Sequence, residues 1–166
     1  MVIERFVSVS ACHVGDLSLG EHLLVWGTRY WARCQRRQLN PYGVLQRTFA
    51  LAGAAHAMPM LDAFLAILAL GARRPVDIRD HACQTLSPDE LALVCSVARR
   101  QRHDNTLSQA FVAETIRMPE ALSGGEALGL LASRLVEAGH TLPLRACGIP
   151  RYAAAPSSNT FAPTLH

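Results

Sequence analysis

Two stretches of this chain gather side chains that could hold a metal ion. Asp77, Asp80, His81 and Cys83 lie within seven residues of one another, and Cys12 and His13 are followed closely by Asp16. Imidazole and thiolate together suit zinc. Neither stretch has the paired spacing of a zinc module, so a shared site requires the fold to bring the two together. The simpler account is a pair of solvated loops whose carboxylates cap turns. Glu137 and His140 stand three apart, the spacing of di-iron carboxylate bundles. Those sites need a second copy, and this one lies at a helix end marked by Gly139. There is no G-x-S-x-G elbow and no cysteine in a recognisable nucleophile context. Gly124-Gly125 could present amides to a phosphate, but the rest of a phosphate-binding loop or dinucleotide fingerprint is missing. No motif calls for a cofactor, and an enzyme is not the expected class.

Arginine is the other chemical signal. Arg99, Arg100 and Arg102, with His103, fall in one turn, and the doublets Arg36-Arg37 and Arg73-Arg74 add to them. Gathered on one side they would form a nucleic-acid patch. The helix after that turn carries Glu114 and a single base, Arg117, which makes it a poor recognition helix. Net charge is only +3. All sixteen basic residues are Arg, which suits a GC-rich, bacterial-type genome that also favours Ala, Gly and Pro. Selection for bidentate contacts is the alternative. The doublets also sit where helices should end, and cations there complement the helix dipole.

Helices must position these groups, and their starts are well marked. Ser18-x-x-Glu21, Ser87-x-x-Glu90 and Ser123-x-x-Glu126 read as capping boxes, the second strengthened by Pro88 at the first helical position. Thr106-x-x-Gln109 is a weaker version, with Asp104 as a competing cap. Asn40-Pro41 and Pro59 supply two more starts. The spacing predicts helices over 18–38, 41–56, 59–73, 88–102, 105–118 and 124–139. Gly139 should close the last, and Pro75, Pro143 and Pro150 forbid continuation.

Apolar stripes follow the helical period. They are Leu61, Phe64, Leu65, Leu68 and Ala72; Leu91, Val94, Cys95 and Ala98; Leu107, Phe111, Thr115 and Met118; and Leu128, Leu131, Leu135 and Ala138. The first helix differs, because Leu23, Leu24, Val25 and Trp26 are consecutive and encircle it, with Gly27 permitting close approach. Such a helix is either the centre of the bundle or covered by a second subunit. On the second reading Trp26, Tyr30 and Trp31 are the interface anchors.

The sequence therefore implies an all-α, single-domain bundle of about six helices. Residues 1–17 form an N-terminal arm with an extended run at Val7-Ser8-Val9, residues 18–145 the helical domain, and residues 146–166 a Pro- and Ala-rich tail, flexible or docked on the surface. Five dispersed cysteines do not make a disulfide framework, and Cys34 and Cys95 read as small core residues. A reducing, cytoplasmic setting fits, and the N-terminus lacks the pattern of a secretory signal. The apolar run from Phe49 to Ala72 is interrupted by His56, Pro59 and Asp62 and is too broken to span a bilayer, which needs about 20 residues. The functional expectation is a non-catalytic interaction or regulatory domain that binds another protein or itself. A metal-binding protein or metalloenzyme using the Asp77/His81/Cys83 loop, and an Arg-mediated nucleic-acid binder, are the alternatives.

Overall fold

The computed structural model describes residues 11–146. Within them the chain is all-helical: a 3-10 turn over Val14–Asp16 precedes α1 (Leu19–Arg36), α2 (Tyr42–Leu51), α3 (Met58–Gly71), α4 (Pro88–Arg100), α5 (Thr106–Thr115) and α6 (Glu120–Glu137). No sheet forms among the described residues, and isolated bridges tie His13 to Thr85 and Ala72 to Ile116. The Val7-Ser8-Val9 run and the chain from Cys147 onward lie outside the described residues. No described helix is long and apolar enough to cross a membrane.

Two of the three expected capping boxes form. Ser18 and Glu21 exchange hydrogen bonds at the start of α1, as do Ser87 and Glu90 at the start of α4. Asn40 Oδ1 accepts the Tyr42 amide at 2.9 Å, and Asp104 Oδ1 accepts the Thr106 amide at 3.0 Å. The Ser123 box does not form, because α6 begins at Glu120, directly after Pro119. Ser123 and the two glycines therefore sit inside the helix, where burial of Gly124 outweighs the poor helix propensity of glycine. α2 stops at Leu51, five residues before the expected end, and Gly53 turns the chain with a φ of +71°. Met118 is exposed rather than on the α5 stripe, because the helix ends at Thr115 and Ile116 is extended.

α3 packs along α6, α4 lies against α5 and α6, and α1 crosses α2, α3 and α4. The core joins Phe49, Phe64, Phe111, Leu24, Leu61 and Leu128, all fully buried. The helix hidden on every side is α4, not α1: each residue from Asp89 to Ala98 is buried. Small side chains (Ala92, Ser96, Ala98) let neighbours approach α4 from all directions. α1 instead keeps a strip open at helical spacing, Leu19, His22, Trp26, Tyr30 and Arg33. Its opposite face is tightly held. A Cβ on Gly27 would come within 3.0 Å of Leu61 and 3.1 Å of Phe49. Cys95 is buried in α4 and disulfide-bonded, whereas Cys12, Cys34 and Cys83 are free. Cys95 is thus the core residue its pattern implies and a disulfide partner as well, because pairing depends on Cα separation in space, which dispersed sequence spacing does not reveal.

Candidate functional site

The loop expected to hold a metal is organised by a guanidinium. Arg29 reaches from the buried side of α1, and its Nε and Nη2 donate to the two carboxylate oxygens of Glu90 at 2.7 and 2.9 Å. Its Nη1 donates to the carbonyls of Asp80 and Cys83 at 3.2 and 2.7 Å, and its Nη2 to that of Thr85 at 3.0 Å. All five donors are used. Glu90 also accepts the Ser87 and Arg79 amides. The two side chains are 3% and 1% exposed, so this is a desolvated ion pair with every lone pair and proton answered. Such an arrangement fixes a loop's path at small net energetic gain, whereas removing one partner is costly.

The fold does bring the two candidate metal stretches together. Cys12 O accepts the Leu86 amide, and Gln84 O accepts the Val14 amide. Their side chains nonetheless diverge. The Cys12 thiol is raised by burial, with Glu21 and Asp16 adding to the rise and Arg145 opposing it. Cys83 Sγ lies by Thr85 and Arg79, and its contacts with Thr85, then with the Arg79 guanidinium, lower its pKa. Asp77 contributes its backbone, donating its amide to Asp89 and accepting the Ser87 hydroxyl. Asp80 Oδ1 accepts the His81 amide at 2.7 Å. His13 is exposed. Among the described residues no group of three or more His, Cys, Asp and Glu side chains is placed to hold a metal ion. Glu137 pairs with Arg134 and His140 Nε2 meets Ala52 O at 2.8 Å, so these two do not share a site either.

The expected interface aromatics separate by face. Trp31 is 7% exposed and donates its indole N–H to Asp62 Oδ1 at 2.8 Å, bracing α1 on α3. It is a core residue, since five positions beyond Trp26 the helix has turned inward. Trp26 and Tyr30 stack on the open strip at 5.3 Å, and the His81 ring tilts against both at 6.2 and 6.1 Å. Burial, then the Arg33 cation, lowers the His81 pKa, and its buried Nε2 meets no hydrogen-bond partner among the described residues. Beside this cluster runs a groove of about 400 Å³ between α1 and α2, lined by Leu19, His22, Leu23, Trp26, Leu51 and Ala52.

Arg99, Arg100 and Arg102 each find a local partner near the end of α4. Arg99 pairs with Asp104 at 3.1 Å, Arg102 donates to Ala98 O at 2.6 Å, and Arg100 reaches the Ser108 hydroxyl and Gly125 O. Arg73 donates to Ala113 O and Arg74 grips Asp89 bidentately. Helix-end bonding accounts for these groups.

Family models, curated proteins and solved structures yield no match to this chain. Its site must be read from its own geometry. Sequence reasoning missed Arg29, whose polar type inside an apolar run was its only signal. It also missed Leu51, whose exposure follows from the early end of α2.

Proposed function

We propose that this chain is a non-catalytic interaction domain that binds another protein through the face shared by α1 and α2, and that the partner's surface is apolar and acidic. One observation carries the reading: Leu19 and Leu51, 68% and 84% exposed, flank an apolar groove beside the stacked Trp26 and Tyr30. Aromatic anchors next to a groove are the usual makings of an interface hot spot. Charge supports the partner's character. Arg33, Arg36, Arg37 and Arg47 are exposed on α1, its end and α2, while the single acid across residues 19–51, Glu21, is buried on Arg145. Four open cations outnumber the one exposed acid beside the aromatic cluster, Asp80 next to His81, and this excess favours an acidic partner and disfavours two copies meeting through this same face, since like charges would oppose one another.

Affinity capture with the wild type and with Leu51→Asp, followed by reconstitution of the captured partner, tests the reading. Leu51→Asp and the double change Arg36→Gln/Arg37→Gln should each weaken the same partner at least tenfold, while Leu130→Asp on α6 should not. A partner indifferent to Leu51→Asp overturns the assignment. Salt-sensitive binding of duplex DNA that depends on Arg36 and Arg37 would replace the protein partner with nucleic acid.

A further inference from the structure

A second groove, on the far side of the bundle, has different chemistry and does not depend on the reading above. It lies between α5 and α6, has a volume of about 520 Å³, and is floored by Val112, Ile116 and Ala121 with Leu122 and Met118 exposed at its rim. Arg100 closes one end and Arg73 also lines it. We propose that this groove binds a small amphiphilic anion, a carboxylate on an apolar chain, with its head on Arg100 and its chain over Val112, Ile116 and Leu122.

Arg100 is the reason. Its guanidinium lies half-buried directly against Gly129 on α6, where an added Cβ would come within 2.1 Å of Nη2 and push the arginine tip aside. Two bonds hold it there, Nη2 to Gly125 O at 3.1 Å and Nη1 to Ser108 Oγ at 3.3 Å. Both acceptors are neutral, and the other N–H groups meet no described acceptor. Arg29, Arg74 and Arg145 each grip a buried carboxylate, whereas Arg79, like Arg100, is half-buried and meets uncharged acceptors on Thr85. No ion pair involves Arg100 or Arg73 among the described residues. A positioned, partly desolvated cation without a counter-ion is unfavourable unless an anion completes it, and a guanidinium fork matches a carboxylate bidentately. Glu126 also lines the groove. One carboxylate against two guanidiniums leaves the groove net positive. The apolar floor selects an anion with a hydrocarbon body over a bare inorganic one. The volume falls within the roughly 300–1,000 Å³ of small-molecule sites, which favours a single amphiphile over a docked peptide helix.

The test is calorimetric titration of the full chain with decanoate, decanol and decyltrimethylammonium, each below its micelle concentration. Decanoate should bind saturably at one site, decanol about tenfold more weakly or worse, and the ammonium not measurably. Arg100→Gln should bring decanoate down to decanol's affinity while leaving decanol unchanged. Ala113→Trp fills the groove from an exposed position on α5 and should abolish decanoate binding with the helical spectrum intact. The proposal is overturned if the three amphiphiles bind alike, if Ala113→Trp leaves decanoate affinity unchanged, or if decanoate gives no saturable heat. An acidic peptide that binds where decanoate does not would assign the groove to a polypeptide instead.

Discussion

Arg29 and Arg100 are both drawn out of water, and their surroundings differ in one respect. Around Arg29 every donor meets an acceptor, two of them the oxygens of a fully buried carboxylate. Around Arg100 two neutral acceptors are met and no ion pair forms among the described residues, although Glu126 lines the same groove. The first arrangement is complete, and it fixes the path of the 79–85 loop across α1 and α4. The second is a held charge with coordination to spare. The contrast teaches that burial of an arginine says little about its role until its donors are counted.

The largest effect should come from breaking the complete network. Arg29→Met leaves the buried Glu90 carboxylate without its partner and strands the carbonyls of Asp80, Cys83 and Thr85, so the chain should lose about 3–5 kcal/mol of stability. Urea unfolding measures this, and a loss below about 1 kcal/mol would mean the loop does not depend on Arg29.

Acid should act next, in two stages. His81 has a lowered pKa, from burial and then from the Arg33 cation. The unfolded chain therefore takes up a proton near the ordinary value of 6.5 that the folded chain refuses. Stability is fully present above that pH and declines as pH falls below it. Burial of Glu21 works against its charge, but the bonds from Arg145 and Ser18 outweigh burial and leave its pKa below 4.5. Its contribution is present above 4.5 and is lost as pH falls through the lower folded value. Thermal unfolding against pH should show both declines, with His81→Phe removing the first and Glu21→Gln the second. A flat profile from pH 7 down to 5 in the wild type would contradict the His81 assignment.

The smallest change is expected at Arg100. Arg100→Met removes two neutral hydrogen bonds and one uncompensated charge, which should nearly cancel and leave stability within about 1 kcal/mol. A loss as large as that at Arg29 would erase the difference between the two sites.

Much of the scaffold could be read from residue order, because its signals are local. Ser18/Glu21 and Ser87/Glu90 act within one helical turn, and the stripe Leu61, Phe64, Leu65 and Leu68 is buried as its period implies. Ser123/Glu126 shows the limit of that logic, since a capping pattern is idle once the helix has already begun at Glu120. The central helix was misplaced because α4 carries Asp89 and Glu90, whose burial depends on Arg74 and Arg29 far away in sequence. The grooves were invisible for the same reason. The half-exposed Trp26 and the hidden Trp31 differ only by which neighbours the fold supplies, and Arg100 becomes notable only once Gly129 on α6 is seen beneath it.

The contact of Arg145 with Glu21 and with the carbonyl of Asp16, the latter at 2.6 Å, places two distant stretches of the chain side by side at the start of α1. The helical body thus forms a nearly closed circuit. Joining the chain there with a brief linker and opening it near Gly53, where α2 has ended and several side chains face water, would keep the same helices and core while α3 to α6 are made before α1 and α2.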